Sequence, residues 1–470
     1  MLYGLDLPLN PLFSSPNSLA IRTRPSGSSD LDRLTFFLRE HPSVKFLRLQ
    51  YLDYTATPRL RIIPIRRILA MLQDEGSLNV GITKASLGLL QNDAIIPGES
   101  ATGEYRLHGD LSSLKSGPSE AYATIQGDFR EDDGSPAVLC PRSVLRRALL
   151  ESKLHGLEFQ MGFEIEVVFL ARTSEKNGKS RYTTIADSAG HAWSSARALH
   201  DGNILKMVEE IDETLCKAGI YLDQWHPESS SGQYEFVLSP LPPLEAVDTL
   251  IHAREIICTV AARYSIRATL HPKPFPMMAG TAAHAHISIS SPNAINVYES
   301  FYAGILAHLR AICAFTYSNA ASYDRVKDGC WAGGTWVAWG NQNRETPLRK
   351  IEGSHWELKC LDGLANVYLA MAAVISAGVE GVVAGDALEF KDCEKDPASL
   401  TDEERNKLGI EEKLPASLEE ALEELDEDEG LGNILGREVV TRYIAVKKAE
   451  ADLLNGMEAD ERREWILERY

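Results

Sequence analysis

The sequence predicts an α+β protein with two folded domains, a small sheet-containing domain at residues 31–135 and a larger domain at residues 136–470. Its 470 residues exceed the length of about 100–200 residues that is typical of one domain. Between residues 44 and 68, short alternating segments separated by turn residues predict strands. Beyond residue 136, segments with helical periodicity alternate with segments of strand periodicity. Residues 1–30 are rich in Pro, Ser and Asn, which predicts a flexible N-terminal extension.

The larger domain begins with a predicted helix that has Pro141 at its start and Gly156 after its end. The segment "MGFEIEVVFL" then alternates apolar and polar residues, as a strand does. Further helices are predicted at residues 203–220, 244–265, 298–319 and 366–385, and further strands at 232–239, 284–290 and 355–362. The acidic segment "SLEEALEELDEDEG" has Ser417 as a helix cap and leucines at helical spacing, which predicts an amphipathic helix with its acidic face in water.

The charge and the composition favour small-molecule chemistry in the cytoplasm. The net charge is −19 and the basic residues form no sustained patch, which argues against nucleic acid or an anionic membrane as a partner. The seven cysteines are scattered without a CxxC pair, as in a protein with reduced thiols. No stretch approaches the ~18 consecutive apolar residues of a membrane span, and the N-terminus resembles no export signal. We therefore expect a cytoplasmic protein without a membrane segment.

Four predicted strands of the larger domain carry polar or ionisable side chains at alternate positions, which share one face of a strand. These side chains are Glu164 and Glu166; Gln233 and Glu235; His284, His286 and Ser288; and His355, Glu357 and Lys359. One such strand alone is most often an amphipathic strand with a solvated face. Four of them, with Glu228 just upstream of the second, favour a shared site instead.

Carboxylates that converge on one site repel each other and take up protons unless a cation lies among them. Carboxylates with an imidazole suit Mg²⁺ or Mn²⁺, whereas a structural zinc site would use thiolates. The pattern therefore predicts a divalent metal site with His284 as one ligand.

A cationic segment follows in "SYDRVKDGCWAGGTWVAWGNQNRETPLRK", which places Arg325, Arg344 and Arg349 among glycines and tryptophans. A single arginine in a loop is more often only solvated. Several arginines beside a divalent metal suit the binding of polyphosphates and carboxylates, which indicates phosphoryl transfer from a nucleotide. The sequence has no Walker motif and no kinase glycine-rich pattern.

The run "KPFPMMAGTAAHAHIS" from Lys273 resembles the nucleotide and metal signature of the glutamine synthetase superfamily. The segments "GFEIEVVFL", "HPESSSGQYE", "SYDR", "NRETPLR" and "WELKCLDGLANVYLAMAA" also occur in the family's order. The resemblance covers about residues 136–450, more weakly 31–135, and is nearest to type I-like enzymes and fungal synthetase-like proteins. It implies an N-terminal β-grasp domain and a catalytic domain with an antiparallel curved sheet flanked by helices.

The resemblance also implies a role for each matching residue. One metal would be held by Glu166, Glu228 and Glu235, and the other by Glu164, His284 and Glu357. ATP would contact Lys273, His286, Ser288, Arg344 and His355. Gly280 and Trp331 would contact the substrates, and Arg325, Arg349 and Lys359 would act on the acid substrate and its acyl phosphate. The implied reaction activates a small acid, glutamate, with ATP and two Mg²⁺ or Mn²⁺ ions, and an amine then attacks. The family's large homo-oligomeric rings would place each active site between two subunits.

Departures from the family pattern concern the amine. Lys84 and Ala85 stand where the family has an ammonium-binding aspartate latch, and Trp331 stands at the flap glutamate. These losses argue against ammonia as the nucleophile and favour an organic amine that packs against an apolar wall. Trp336 and Trp339 either contribute to this wall or, equally, serve as core residues. Two other departures concern the acid substrate and the phosphate. Ala279 stands where the family has an asparagine in its amino-acid site, and His355 and Lys359 stand where the family has two arginines on one strand.

Three functions stay open on the sequence alone. The first is a working carboxylate–amine ligase with an organic amine. The second is a catalytically weak synthetase-like protein with a regulatory, nucleotide-binding or scaffold role. The third is a true glutamine synthetase that uses ammonia. The complete set of six metal-ligand positions favours the first, because clustered carboxylates cost stability and a scaffold has no reason to keep them.

Overall fold

The structure is a computed structural model that describes residues 29–174, 180–185, 190–289 and 297–470. The predicted N-terminal extension therefore lies outside the described residues, except for its last two. Helix α1 (Asp30–Glu40) begins at Ser29, whose hydroxyl accepts a hydrogen bond from the backbone N–H of Asp32. The Asp32 carboxylate in turn accepts from the backbone N–H of Ser29, which completes a capping box.

The N-terminal sheet has five strands in the order β2-β1-β5-β4-β3. Its strands are β1 (Phe46–Leu52), β2 (Pro58–Pro64), β3 (Asn79–Thr83), β4 (Glu104–Ser116) and β5 (Tyr122–Arg130). Strands β1 and β5 pair in parallel, and the other pairs are antiparallel. Helix α2 (Ile65–Asp74) buries Ile68 and Leu72, and a 3₁₀ turn at Lys84–Leu87 follows β3. This arrangement is compatible with the expected β-grasp domain.

The second sheet has nine strands and carries the residues of interest. Seven strands follow the order β12-β13-β14-β11-β6-β9-β8, and β7 and β10 pair with the long strand β6. The strands are β6 (Phe159–Ser174), β7 (Ser180–Thr184), β8 (Leu222–Pro227), β9 (Gln233–Leu238), β10 (Ile266–Thr269), β11 (Ala285–Ile289), β12 (Trp339–Asn341), β13 (Leu348–Glu352) and β14 (His355–Leu358). Among these pairs only β12 and β13 are parallel, so the sheet is almost wholly antiparallel, as expected.

Each predicted helical segment of the larger unit contains a helix, and the structure adds helices that the sequence analysis did not predict. The helices of this unit are α3 (Pro141–Leu154), α4 (Ser195–Leu199), α5 (Gly202–Lys217), α6 (Pro243–Arg263), α7 (Val297–Ala307), α8 (Leu309–Thr316), α9 (Ala320–Tyr323), α10 (Val367–Ala384), α11 (Asp402–Lys407), α12 (Leu418–Glu427), α13 (Glu429–Leu435), α14 (Arg437–Asn455) and α15 (Ala459–Arg469), with a 3₁₀ turn at Pro397–Ser399. Ser417 caps α12 by accepting from the Glu420 N–H, as predicted.

The single helix predicted at residues 298–319 is two helices, which corrects that prediction. His308 separates α7 from α8 with φ −104° and ψ 7°. Its imidazole contacts the Asp428 carboxylate at 2.6 Å and the Glu380 carboxylate at 3.0 Å. Asp428 lies just before α13, and Glu380 lies in α10. The break therefore coincides with contacts to residues far away in the sequence, which the local helical periodicity cannot predict.

Helix α10 is the central helix of the core. By length and composition it could cross a membrane, with a mean hydropathy of 1.9, but 78% of it is buried inside the protein. It approaches α7 closely, because a Cβ at Gly304 would lie 2.3 Å from the Ala377 carbonyl oxygen and one at Gly381 would lie 2.3 Å from the Ser300 carbonyl oxygen. Burial among other helices is typical of a core helix, which accounts for its apolar surface on all sides.

The two sheets share one continuous hydrophobic core. Polar contacts also join the N-terminal sheet to helix α6: the Arg48 guanidinium and the Gln50 amide both donate to the Glu255 carboxylate, at 2.6 and 2.8 Å. The buried Arg142 donates to Asp248 of α6 and to Asp128 of β5, at 2.8 and 2.7 Å. The predicted domain boundary at residue 135 falls in the turn between β5 and α3, and the division itself stays a prediction.

Candidate active site

The four strands that the sequence singled out lie side by side in the nine-stranded sheet, in the order β14-β11-β6-β9. In the pairing register Glu166 lies opposite Glu235, and His286 lies opposite Glu357. Directly opposite side chains of an antiparallel pair have Cβ atoms about 4.5–5.5 Å apart. The alternating polar positions of four separate segments therefore form one contiguous polar surface.

One group of possible metal ligands lies around Glu164. Its two carboxylate oxygens contact His284 Nδ1 at 2.7 Å and His286 Nε2 at 3.0 Å. His284 Nδ1 is also 3.3 Å from Glu357 Oε1. One ligand atom each from Glu164, His286 and Glu357 lie within 4.8 Å of one another, which is close enough to hold a metal ion. The structure thus brings the predicted set of Glu164, His284 and Glu357 together and adds His286 to it.

A second group lies around His226 at the end of β8. Its Nε2 is 3.0 Å from Glu228 Oε1 and 3.6 Å from Glu235 Oε1. Ligand atoms of these three residues also lie within 4.8 Å of one another. The predicted third member, Glu166, is buried nearby, and its Oε2 accepts hydrogen bonds from the Ala282 N–H and the Gln233 side-chain amide.

His226 is absent from the residues selected by sequence. A signal for it exists, because it precedes Glu228 by two positions and so repeats the spacing of the other strands. The intervening Pro227 obscures that signal, since proline is rare inside strands.

The carboxylates of the two groups strongly perturb each other's protonation. Burial, followed by repulsion from Glu164, Glu166 and neighbouring carboxylates, raises the pKa of Glu235 to about 10. Burial also acts to raise the pKa of Glu357, but the positive charges of Lys359 and His284 lower it to about 2. One carboxylate therefore keeps a proton at neutral pH unless a cation replaces it. This donor set of carboxylates and imidazoles fits a divalent metal such as Mg²⁺ or Mn²⁺.

Two of the basic residues predicted to act on the acid substrate and its acyl phosphate, Arg349 and Lys359, contact Glu357. The fully buried Lys359 has its Nζ 3.3 Å from Glu357 Oε1 and 3.5 Å from His284 Nε2. Arg349 Nη1 donates to Glu357 Oε2 at 2.9 Å, and its Nη2 donates to Gln342 at 2.8 Å. Glu357 is thus a shared partner of both cations.

Arg325 and Gly280 also lie together at this site. Arg325 is buried, and its Nη2 donates to the carbonyl oxygens of Lys359 and Leu361 at 3.0 and 3.2 Å. A Cβ at Gly280 would lie 2.8 Å from the Arg325 Cβ and 3.2 Å from the Pro272 carbonyl oxygen. Only a residue without a side chain fits this approach without a shift of its neighbours.

Two of the residues predicted to contact ATP, His286 and His355, also contact each other. His286 Nδ1 and His355 Nε2 lie 2.9 Å apart across β11 and β14. Ser288 lies further along β11, opposite Gln160 of β6. The Lys273 ammonium donates to the Met278 carbonyl, and Arg344 is exposed with its carbonyl accepting from the Gly333 N–H. The roles of these residues stay predictions.

The three tryptophans of the predicted apolar wall differ in their surroundings. Trp331 is 62% exposed, with φ 60°. Trp336 packs under the guanidinium of Arg405, 4.2 Å from its ring centroid, and Trp339 is 8% exposed with its Nε1–H donating to the Phe390 carbonyl. These contacts favour core packing for Trp336 and Trp339, and their part in an amine wall stays a prediction.

The contacts of Lys84 are with residues of the N-terminal unit. Its Nζ is 2.7 Å from the Glu131 carboxylate and 4.6 Å from the Tyr105 ring centroid, and both partners belong to the N-terminal sheet or its following turn. Its neighbour Ala85 is buried.

Residues 138–470 match the family model described as "Glutamine synthetase, catalytic domain". The chain belongs to the glutamine synthetase family. Members of this family are ATP-dependent ligases that form C–N bonds; they generally use divalent metals, glutamate and an amine, and they form oligomers. The resemblance and the fold class predicted from the sequence are therefore confirmed.

Two curated relatives and one solved structure illustrate the match. The chain is 44% identical to Protein fluG of Emericella nidulans over 94% of its own length, but it spans only about half, 50%, of fluG. It is 28% identical to gamma-glutamylpolyamine synthetase GlnA3 of Streptomyces coelicolor, with 88% of this chain and 91% of GlnA3 covered. The solved structure "GmaS/ADP complex-Conformation 1" has the same fold, with a TM-score of 0.78, 22% identity, and coverage of 93% of this chain and 99% of that one.

Proposed function

We propose that this chain is an ATP-dependent ligase that joins the carboxylate of glutamate to an organic amine through an acyl phosphate. One observation carries the proposal: carboxylates and imidazoles from five neighbouring strands form two groups in which the possible ligand atoms lie within 4.8 Å of one another. Such a cluster is destabilising by itself, and it suits a site for divalent cations beside a nucleotide.

The residues would hold two Mg²⁺ or Mn²⁺ ions in the predicted sets, Glu164, His284 and Glu357 for one and Glu166, Glu228 and Glu235 for the other. His286 and His226 are near enough to add a ligand to each set. When bound, the ions neutralise charge on phosphate oxygens during transfer. Arg325, Arg349 and Lys359 would orient the acid and its phosphate.

An organic amine fits the flap better than ammonia does. The Trp331 indole is exposed two residues before Gly333, which packs against Lys359, and we infer that it covers the carbon skeleton of an amine at about 25 cal/mol per Å² of apolar surface buried. Ammonium is small and strongly hydrated, and the apolar surface of an indole cannot replace the hydrogen bonds that ammonium makes to water. The relative named gamma-glutamylpolyamine synthetase supports γ-glutamylation of an organic amine.

We also propose a large, ring-shaped homo-oligomer in the cytoplasm. In such a ring the N-terminal sheet of one subunit would reach the active site of the next and bring Lys84 to it, which a single chain does not do. Light scattering at micromolar protein would give a mass of many subunits; a monomeric mass would contradict the ring.

A second candidate is a catalytically weak protein that binds nucleotide in a regulatory or scaffold role. The observation that favours it is that Glu357 forms ion pairs with both Lys359 and Arg349. These pairs engage one predicted metal ligand and two residues predicted to act on the acid substrate. His355 and Lys359 also lack the bidentate fork of an arginine. A true glutamine synthetase is disfavoured by Trp331 at the flap.

The test is an ADP-release assay with glutamate, ATP and either Mg²⁺ or Mn²⁺. The amines are ammonium, ethylamine, putrescine, spermidine, benzylamine and hydroxylamine. We expect ADP release and a γ-glutamyl amide with at least one alkyl amine and little with ammonium. Nucleotide binding without ADP release for any amine would favour the regulatory candidate.

A further inference from the structure

The flap, defined as residues 327–335, packs directly on the candidate active site. A Cβ at Gly333 would lie 3.1 Å from the Lys359 Cβ, so the flap backbone touches the side chain that contacts Glu357. Gly333 and Gly334 have φ of 88° and 65°, a region that favours glycine. Trp331 lies two residues before this contact, and its indole is 62% exposed.

Two carboxylates hold the flap, and they differ in one respect. The Asp328 carboxylate accepts from the Thr335 backbone N–H at 2.9 Å, and the single Thr335 hydroxyl lies 2.9 and 3.0 Å from its two oxygens. Glu345 accepts from the Trp331 backbone N–H through Oε1 at 2.8 Å. Its Oε2 is shielded from solvent and has no hydrogen-bond partner among the residues that the structure describes. Each oxygen of Asp328 therefore has a donor within reach inside the flap, whereas Glu345 has one carboxylate oxygen without a donor.

A carboxylate oxygen that is buried without a donor is destabilising, and a cationic N–H group is the donor that satisfies it best. An alkyl amine reaches the enzyme at neutral pH as an ammonium ion. It has no lone pair for attack until it loses a proton to a base within hydrogen-bond reach. The free oxygen of Glu345 beside the Trp331 backbone offers both a counter-charge and a proton acceptor.

We propose that Glu345 is a catalytic residue that binds the ammonium group of the amine substrate through Oε2 and accepts one proton from it. This inference rests on the proposed ligase function and names the base of that site. The ammonium ion gives one proton to the carboxylate and becomes a neutral amine. The nitrogen lone pair then forms the C–N bond with the acyl carbon, the C–O bond to phosphate breaks, and phosphate leaves with that electron pair. The second nitrogen proton leaves with the phosphate.

Trp331 and Glu345 then divide the recognition of an alkyl amine. The indole covers its carbon skeleton, and the carboxylate takes its charged end. Because Oε1 is fixed by the Trp331 N–H, the same residue positions the indole and the acceptor oxygen relative to each other. The substrate class is thus a primary amine that is protonated at neutral pH and has an apolar or extended carbon chain.

The decisive variant is Glu345→Gln, because a glutamine can still accept from the Trp331 N–H but cannot take a proton. Its kcat/KM is measured from pH 6.5 to 9.5 with benzylamine and putrescine, which are protonated at neutral pH, and with hydroxylamine, which is mostly unprotonated there. We expect a loss of at least tenfold at pH 7 with the two alkyl amines, recovery as the pH rises, and a change of less than twofold with hydroxylamine.

Asp328→Asn is the matched control, since it disturbs the other carboxylate of the flap. We expect it to change kcat/KM by a similar factor for all three amines and at every pH. Equal losses of Glu345→Gln with alkyl amines and hydroxylamine, or no loss at all, overturn the role of Glu345 while leaving the ligase function in place. A wild-type protein that forms product with hydroxylamine alone also overturns it. No product with any amine overturns the ligase function itself.

Discussion

Glu166 and Glu235 lie directly opposite each other on β6 and β9. Like charges at such a cross-strand position are destabilising. Burial raises the pKa of both carboxyl groups, and for Glu235 repulsion from Glu164, Glu166 and neighbouring carboxylates raises it to about 10. A divalent cation between them would reverse the sign of this interaction, so the same residues that destabilise the protein alone would stabilise the metal-bound protein.

The first prediction concerns these metal ligands. We expect Mg²⁺ or Mn²⁺ with a nucleotide analogue to raise the melting temperature of the wild-type protein. Glu235→Gln should raise the melting temperature without metal, because it removes the cost of protonating a buried carboxyl group. Glu357→Ala and His284→Ala should abolish ATP turnover with the circular dichroism spectrum unchanged. Calorimetry measures the metal binding directly.

Glu352→Ala is the control for these variants, since Glu352 is an exposed carboxylate on the same hairpin as Glu357. It should bind metal and turn over ATP as the wild type does. Calorimetry that shows no metal binding by the wild type, even with the nucleotide analogue, would rule out the site assignment.

The second prediction concerns acid stability. Burial acts to raise the pKa of Asp110, but the Arg142 guanidinium and Ser112 lower it to about 2. Because this folded-state pKa lies below the unfolded value of about 3.9, the carboxylate stabilises the protein above pH ~4, and this contribution is lost as the pH falls toward 2. Asp110→Asn should cost about 1–2 kcal/mol of unfolding free energy at pH 7 and progressively less below pH 4.

Urea unfolding of both proteins between pH 3 and 7 measures this difference. Asp132→Asn, at an exposed aspartate in the turn after β5, is the control and should change the unfolding free energy little at any pH. A stability loss for Asp110→Asn that is the same at pH 3 and pH 7 would contradict the ion-pair explanation.

The third prediction concerns the break between α7 and α8. Burial acts to lower the pKa of His308, but Asp428 and Glu380 outweigh it and raise that pKa above its ordinary value. The pairing therefore stabilises the protein below pH ~6.5 and is lost as the pH rises through the raised pKa. His308→Gln should lower the melting temperature more at pH 6 than at pH 9, as followed by circular dichroism. His200→Gln, at an exposed histidine after α4, is the control and should change the melting temperature little at either pH.

Much of the fold follows from local sequence. The strand faces that bear Glu164, Glu235, His286 and Glu357 were predictable because alternation has a period of two, and all four strands prove to be neighbours. The structure pairs none of the seven cysteines in a disulfide.

The remaining features depend on contacts between residues far apart in sequence. The helix break at His308 coincides with contacts to Glu380 and Asp428, and the burial of Trp336 depends on Arg405. Likewise, the free oxygen of Glu345 becomes visible only when the flap is folded against it. The periodicity of apolar residues along a local segment cannot predict these long-range contacts.

The last prediction concerns the choice between ammonia and an organic amine. Trp331 is exposed at the flap, and its backbone N–H is held by Glu345, so a new side chain at residue 331 would start from the same position beside the site. Trp331→Glu removes the apolar surface that covers the amine's carbon skeleton and adds a second carboxylate that can replace the water around ammonium. We expect kcat/KM for benzylamine to fall at least tenfold and ADP release with ammonium to rise above the wild-type level.

Trp331→Gln separates the two effects, because it removes the indole without adding a charge. It should lose activity with benzylamine and gain none with ammonium. The left-handed φ of residue 331 is unfavourable for both replacements alike, so any difference between them reports on charge. Efficient glutamine formation from ammonium by the unmodified protein would show that the indole does not exclude ammonia, and the organic-amine proposal would then fail.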